Sequence, residues 1–84
     1  MWTNTQFTGS LPPGATQRWF SSDWPTSWHV VWYMVPTSPG AGEPQIDWDV
    51  AVECASADRA TYWITVKNLT QGAVTFEGRY AVLN

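Results

Sequence analysis

A single cysteine and a single histidine stand in 84 residues. Cys54 therefore cannot close a disulfide within the chain, and His29 cannot join a histidine-based metal set, so no metal and no cofactor are expected. Domains that lack both staples rely on association with copies of themselves or on unusually large core side chains. The need is real, because a chain this short buries only roughly 60–65% of its unfolded surface. Positive charge is also scarce. Arg18, Arg59, Lys67 and Arg79 stand against seven carboxylates, for a net charge of −3. No basic stripe can follow a phosphate backbone, so nucleic acid is not an expected partner. No apolar run approaches the ~18 residues of a helical membrane span. The residues after Met1 lack the pattern of a signal peptide, and one thiol fits either a reducing compartment or a secreted chain that avoids cysteine. Helical periodicity is missing too, so no long helix is expected.

What is abundant is alternation. Ile46, Trp48, Val50, Val52 and Cys54 are apolar, with Asp47, Asp49, Ala51 and Glu53 between them. That is a half-buried strand with one wet face. Ala60, Tyr62, Ile64 and Val66 alternate with Arg59, Thr61, Trp63, Thr65 and Lys67, and Val74, Phe76, Gly78, Tyr80 and Val82 alternate with Thr75, Glu77, Arg79 and Ala81. These segments read as three consecutive antiparallel strands. Trp28 to Val35 is apolar on both faces, as a strand buried on both sides would be. Two shorter candidates precede it, Trp2 to Thr8 and Ala15 to Ser21. Turns are expected at Ser10 to Gly14, Asp23 to Ser27, Ala55 to Asp58 and Leu69 to Gly72, and a long connection at Pro36 to Pro44. The expectation is one all-β domain over residues 1–84, a small antiparallel β-sandwich or short barrel of about six strands. Gly78 inside a strand marks a bulge or a place covered by a bulky neighbour.

Catalytic constellations are hard to assemble. Nucleophilic catalysis needs a nucleophile, a base in contact and an orienting group. His29 sits among aromatics and reads as a packed residue, while Cys54 falls on the inward face of its strand and reads as an inert thiol. Asp47 and Asp49 lie roughly 6.5–7 Å apart on one strand face, a spacing compatible with glycoside hydrolysis, but an open sheet face gives no deep cleft and no reason for a raised pKa. Asp23 with these two could offer oxygens to calcium, though nothing wraps an ion. Asn68-Leu69-Thr70 matches the N-glycosylation acceptor pattern. No enzymatic activity is expected.

The surplus lies in the indoles. Trp2, Trp19, Trp24, Trp28, Trp32, Trp48 and Trp63 make seven tryptophans, each able to bury about 150–250 Å². A core this small holds three or four of them, and the rest should meet another molecule. Trp63 falls on the wet face of its strand, with Arg79, Glu77 and Thr75 on one side and Asp47, Asp49 and Glu53 on the other. It could stack on a sugar ring, pair with Arg59, Lys67 or Arg79 by cation–π contact, or form a subunit contact. Trp24, in a proline-bounded loop, could build an aromatic rim with Trp19 and Trp28, and Trp2 could cap the core. The pattern implies a non-enzymatic, lectin-like module. Carbohydrate would bind at Trp63 with Arg79 and Asp47 or Asp49, or around Trp24, and the outer side of the doubly apolar strand (His29, Val31, Tyr33 and Val35) would join subunits of a homo-oligomer. The alternative is a structural protomer whose aromatics serve assembly alone.

Overall fold

Period-2 alternation over residues 46–82 demands strands whose apolar sides meet, and the computed structural model, which describes all 84 residues, builds them that way. Six antiparallel strands follow one another without any helix: β1 (Trp2–Leu11), β2 (Thr16–Pro25), β3 (Val30–Pro36), β4 (Ile46–Cys54), β5 (Arg59–Asn68) and β6 (Val74–Val82). They form two three-stranded sheets, ordered β1-β6-β3 and β2-β5-β4. The all-β expectation and the strand number hold.

The expected side-by-side run of β4, β5 and β6 holds only in its first half. β4 and β5 pair as a hairpin, whereas β6 lies in the other sheet between β1 and β3. The physical reason is face-to-face burial. The inward rows of β5 (Ile64 and Val66, 0% exposed) and of β6 (Val82, 0%; Phe76, 1%) need a cover as well as neighbours. Alternation alone cannot distinguish a strand beside from a strand opposite. Side chains of both sheets meet in one cluster that includes Leu11, Trp24, Trp32, Met34, Tyr62, Ile64, Val66, Phe76 and Val82. Each fully buried aliphatic or phenyl side chain contributes about 1.5–3 kcal/mol relative to leaving it in water.

β1 and β2 are longer than alternation predicts, because each carries a bulge that shifts its parity. β1 is irregular between Thr5 and Phe7, and β2 between Ser21 and Trp24. In β2 two residues, Ser22 and Asp23, stand against the single Thr61 of β5, and Asp23 takes φ = 71°, a left-handed conformation that Asp tolerates better than most residues. After the β1 bulge, Phe7 lies over Gly78. A side chain on Gly78 would collide with the Phe7 ring, so the glycine marks the covered position expected for it.

One end of the molecule is closed by Asn68. Its Nδ2 donates to the carbonyls of Leu11 (3.1 Å), Pro12 (3.0 Å) and Gly72 (2.8 Å), and its Oδ1 accepts from the backbone N–H and the hydroxyl of Thr70, each at 2.8 Å. The residue is 0% exposed and joins the β1–β2 and β5–β6 turns. The glycosylation pattern at Asn68 is therefore spent inside the fold, since the nitrogen that would carry a glycan is committed to these carbonyls. The opposite end gathers Trp2, Trp24, Trp28, Trp32, Tyr62 and Tyr80, mostly in edge-to-face contacts.

Candidate functional site

The outer face of β2-β5-β4 carries Trp63 together with Asp47 and Asp49. Trp63 stands between Phe20 of β2 and Ala51 of β4. Its Nε1 donates to Glu53 Oε1 at 2.8 Å, and the Arg18 guanidinium lies 4.8 Å from the ring centroid. The cation–π partner is thus Arg18, not Arg59, Lys67 or Arg79. Phe20, which alternation did not single out, tilts against Trp63 at 5.3 Å and is 64% exposed. Farther along this face, Asp47, Asp49, Thr16, Thr65 and Lys67 line a shallow depression of about 260 Å³. Arg79 takes no part. It lies on β6 in the other sheet, where its Nε and Nη2 each sit 3.0 Å from Glu77 Oε1. The combination of Trp63 with Arg79 is therefore not formed, because these strands face one another instead of pairing.

Trp24 is not a loop residue. It ends β2, is 8% exposed, and its Nε1 donates to Ser21 Oγ at 2.9 Å. Pro25 misleads here: at the end of an edge strand a proline removes no ladder bond. Trp19 does not join Trp24. It stacks on Phe7 at 5.6 Å and meets Phe76 edge-on at 5.2 Å, farther along the same core. Trp28 does join Trp24 (6.2 Å), and Trp2 meets Trp28 at 5.1 Å.

Between the two bulged edge strands these rings wall a recess of about 450 Å³. Its apolar side is Trp2, Trp24, Trp28 and Tyr80, and its polar rim is Gln6, Ser22, Asp23 and Arg59. Both bulges serve the same place: Gln6 Nε2 donates across to Ser21 Oγ at 3.3 Å. The left-handed turn of Asp23 accompanies an ion pair with Arg59, whose Nε lies 3.2 Å from Asp23 Oδ1. The rim holds donors and acceptors beside ring faces, which is what a ligand with hydroxyls and apolar C–H patches requires. Under the recess, burial pushes the Tyr62 hydroxyl above the ordinary value of 10.0, because a phenolate would lose hydration there. Trp32 Nε1 is buried without a hydrogen-bond partner.

Of the tryptophans, Trp24 and Trp32 are buried, Trp19, Trp28, Trp48 and Trp63 are half-buried, and Trp2 is 43% exposed. Edge-to-face nesting absorbs more indoles than three or four, so the surplus is smaller than counting implied. On the other sheet Val31 and Tyr33 are 50% and 53% exposed and Val35 is half-buried, while Tyr33 leans towards Trp48 at 6.4 Å. His29 precedes β3, and Asn84 Oδ1 accepts from its backbone N–H (2.7 Å) and lies 2.9 Å from its Nδ1. Cys54 is exposed, contrary to the inward position that alternation assigned it, and its thiol donates to Ser56 O at 3.0 Å. Val52, on the same side of β4, is 66% exposed, so the end of this edge strand runs past the cover of the facing sheet. Gln6 and Ser22 escaped the sequence reading because they sit in the bulges that break the alternation, while Arg59 and Tyr80 were placed on their strands but not joined to this site.

Compared with known proteins, the chain matches no protein-family model, no curated protein and no solved structure.

Proposed function

We propose that the chain is a non-enzymatic carbohydrate-binding module of lectin type whose sugar site is the recess between the bulged ends of β1 and β2. One observation carries this reading: indole and phenol rings converge with Gln6, Ser22, Asp23 and Arg59 on an open concavity about the size of one or two sugar rings. A pyranose would lay its C–H face against Trp2 or Trp28 while the rim binds its hydroxyls. The non-enzymatic part is supported by the engagement of the reactive side chains, His29 with Asn84 and Cys54 with Ser56.

The scaffold is best read as an open sandwich rather than a barrel. Neither sheet is closed on itself, and β1-β6-β3 and β2-β5-β4 share one core. Every connection except the β4–β5 hairpin passes from one sheet to the other, as in the jelly-roll sandwiches that serve both lectins and assembling shells. That likeness of topology carries no function by itself.

Affinity per site would be weak, on the order of 1 mM or about −4 kcal/mol, and raised by display on an oligomer. Exposed Val31 and Tyr33, with Val35 and His29 beside them, support self-association as the means of display. A glycan array with the immobilised chain, followed by calorimetric titration of the hits, tests the sugar reading. Trp2→Ala should weaken a hit at least roughly fivefold, a loss of about 1 kcal/mol, with Phe20→Ala unchanged. An array without hits, or a hit abolished by Phe20→Ala and untouched by Trp2→Ala, overturns it.

A further inference from the structure

The rim of the recess carries its two charges side by side. Asp23 and Arg59 line it together, and Arg59 Nε lies 3.2 Å from Asp23 Oδ1. The two side chains are 83% and 44% exposed, Asp23 the more so. An ion pair this open to water contributes little to stability. Unusual backbone holds it nevertheless, since Asp23 is the one non-glycine residue with positive φ. The bulge that sets Ser22 and Asp23 against the single Thr61 of β5 places this carboxylate beside Arg59, where β5 begins.

The pair keeps hydrogen-bonding capacity in reserve. Arg59 uses Nε on Asp23 and Nη1 on the carbonyl of Asp58, at 3.3 Å. Gln6 uses Nε2 on Ser21 Oγ. Arg59 Nη2, Asp23 Oδ2, Ser22 Oγ and Gln6 Oε1 make no hydrogen bond within the chain. One carboxylate and one guanidinium are the only charged groups that line the recess, so its charges sum to zero.

A carboxylate only accepts hydrogen bonds, a guanidinium only donates them, and a hydroxyl does both. Two hydroxyls on neighbouring carbons therefore meet the pair without breaking it. One gives its proton to Asp23 Oδ2, and the other accepts from Arg59 Nη2. A ligand carboxylate or sulfate also seeks Arg59, but it sets its own charge against Asp23, and the rim has no second cation to offset that. An ammonium ligand meets the mirror conflict with Arg59.

We infer that the recess selects neutral sugars with adjacent free hydroxyls, and that Asp23 is the residue that excludes acidic sugars. The selection rests on the carbohydrate reading of the recess and names the class of sugar it takes. The wall agrees with it, because Trp2, Trp24, Trp28 and Tyr80 offer rings to C–H groups and no charge to an anion. The net charge of −3 over the whole chain acts in the same direction.

The test follows the indole N–H signals of the ¹⁵N-labelled chain at neutral pH. The probes are the methyl glycosides of glucose, galactose and mannose, each beside the uronic acid that differs from it only by a carboxylate at C6. At least one neutral member should bind, with its uronic acid at least roughly tenfold weaker. One of its monodeoxy counterparts should be at least roughly fivefold weaker, because a rim group then loses its mate. Asp23→Asn keeps the left-handed turn, which Asn also tolerates, and frees Arg59. It should leave the urea midpoint in place and narrow the gap between neutral and acidic members to roughly threefold or less. A uronic acid that binds the native chain as tightly as its neutral partner overturns the selection and leaves the carbohydrate reading standing. So do monodeoxy sugars that all bind undiminished, or a gap that Asp23→Asn does not narrow. Indole signals that no probe moves overturn both.

Discussion

The two ends of this molecule solve different problems with the same strands. At the Asn68 end a buried amide ties two turns, and the side chains around it (Leu11, Val66 and Val74) are at most 2% exposed. At the Trp24 end bulges interrupt β1 and β2, an Asp adopts a left-handed conformation, and rings meet edge to face along a recess. The contrast teaches that a buried hydrogen-bonded tie and a bulged, ring-lined recess sit at opposite ends of one core. The bulged edges and a wall of rings meet at the Trp24 end, whereas the depression of about 450 Å³ beside Thr70 and Gly72 at the other end carries no aromatic ring.

The division can be broken most severely at Asn68. Asn68→Ala strips partners from three carbonyls and from Thr70 at once, and should cost about 3 kcal/mol. The urea midpoint should fall with little change in slope. At the other end Ser21→Ala removes the acceptor shared by Trp24 Nε1 and Gln6 Nε2 and should cost about 1–2 kcal/mol. It should also loosen the recess, visible as faster exchange of the Trp24 indole N–H.

A smaller effect comes with pH. The raised pKa of Tyr62 means that the unfolded chain ionises this phenol first. Its contribution is whole below pH ~10 and is lost as pH climbs from there through the folded value. The urea midpoint should therefore drop more steeply above pH ~10 in the native sequence than in Tyr62→Phe. Trp2→Ala should matter least for folding, within about 0.5 kcal/mol as for other exposed positions, while removing a wall of the recess. If Trp2→Ala unfolds the chain as Asn68→Ala does, the two ends are not divided as described.

The sequence was most readable where strands are regular. The bounds of β4 and β6 follow directly from their alternation, and β5 differs by one residue, because each has an unbroken period-2 pattern, even though the row of β4 leaves the core at Val52 and Cys54. β1 and β2 read too short because one extra residue in each, Gln6 in β1 and one of the Ser22–Asp23 pair in β2, flips the parity of the alternation. Pro25 made Trp24 look like a loop residue, and Phe20, ahead of the bulge, was read only as part of its strand. Asp47, Asp49 and Trp63 were placed together on one face from parity alone, but Arg79 was added to them wrongly. Parity states which side a residue faces and says nothing of which strand lies beside it. Cys54 shows the same limit, since an inward position becomes exposed once the facing sheet stops short. Of the recess only the meeting of Trp24 with Trp28 was readable from the chain, since the rest of its wall depends on two bulges meeting at one height.

The most direct check is a ¹H–¹⁵N map of the seven indole N–H signals, recorded while sugars from a panel are added. The recess reading predicts that Trp2, Trp24 and Trp28 shift together on saturation with at least one sugar, with Trp48 and Trp63 unmoved. Signals that stay fixed throughout the panel, or that move only at Trp63, would contradict it.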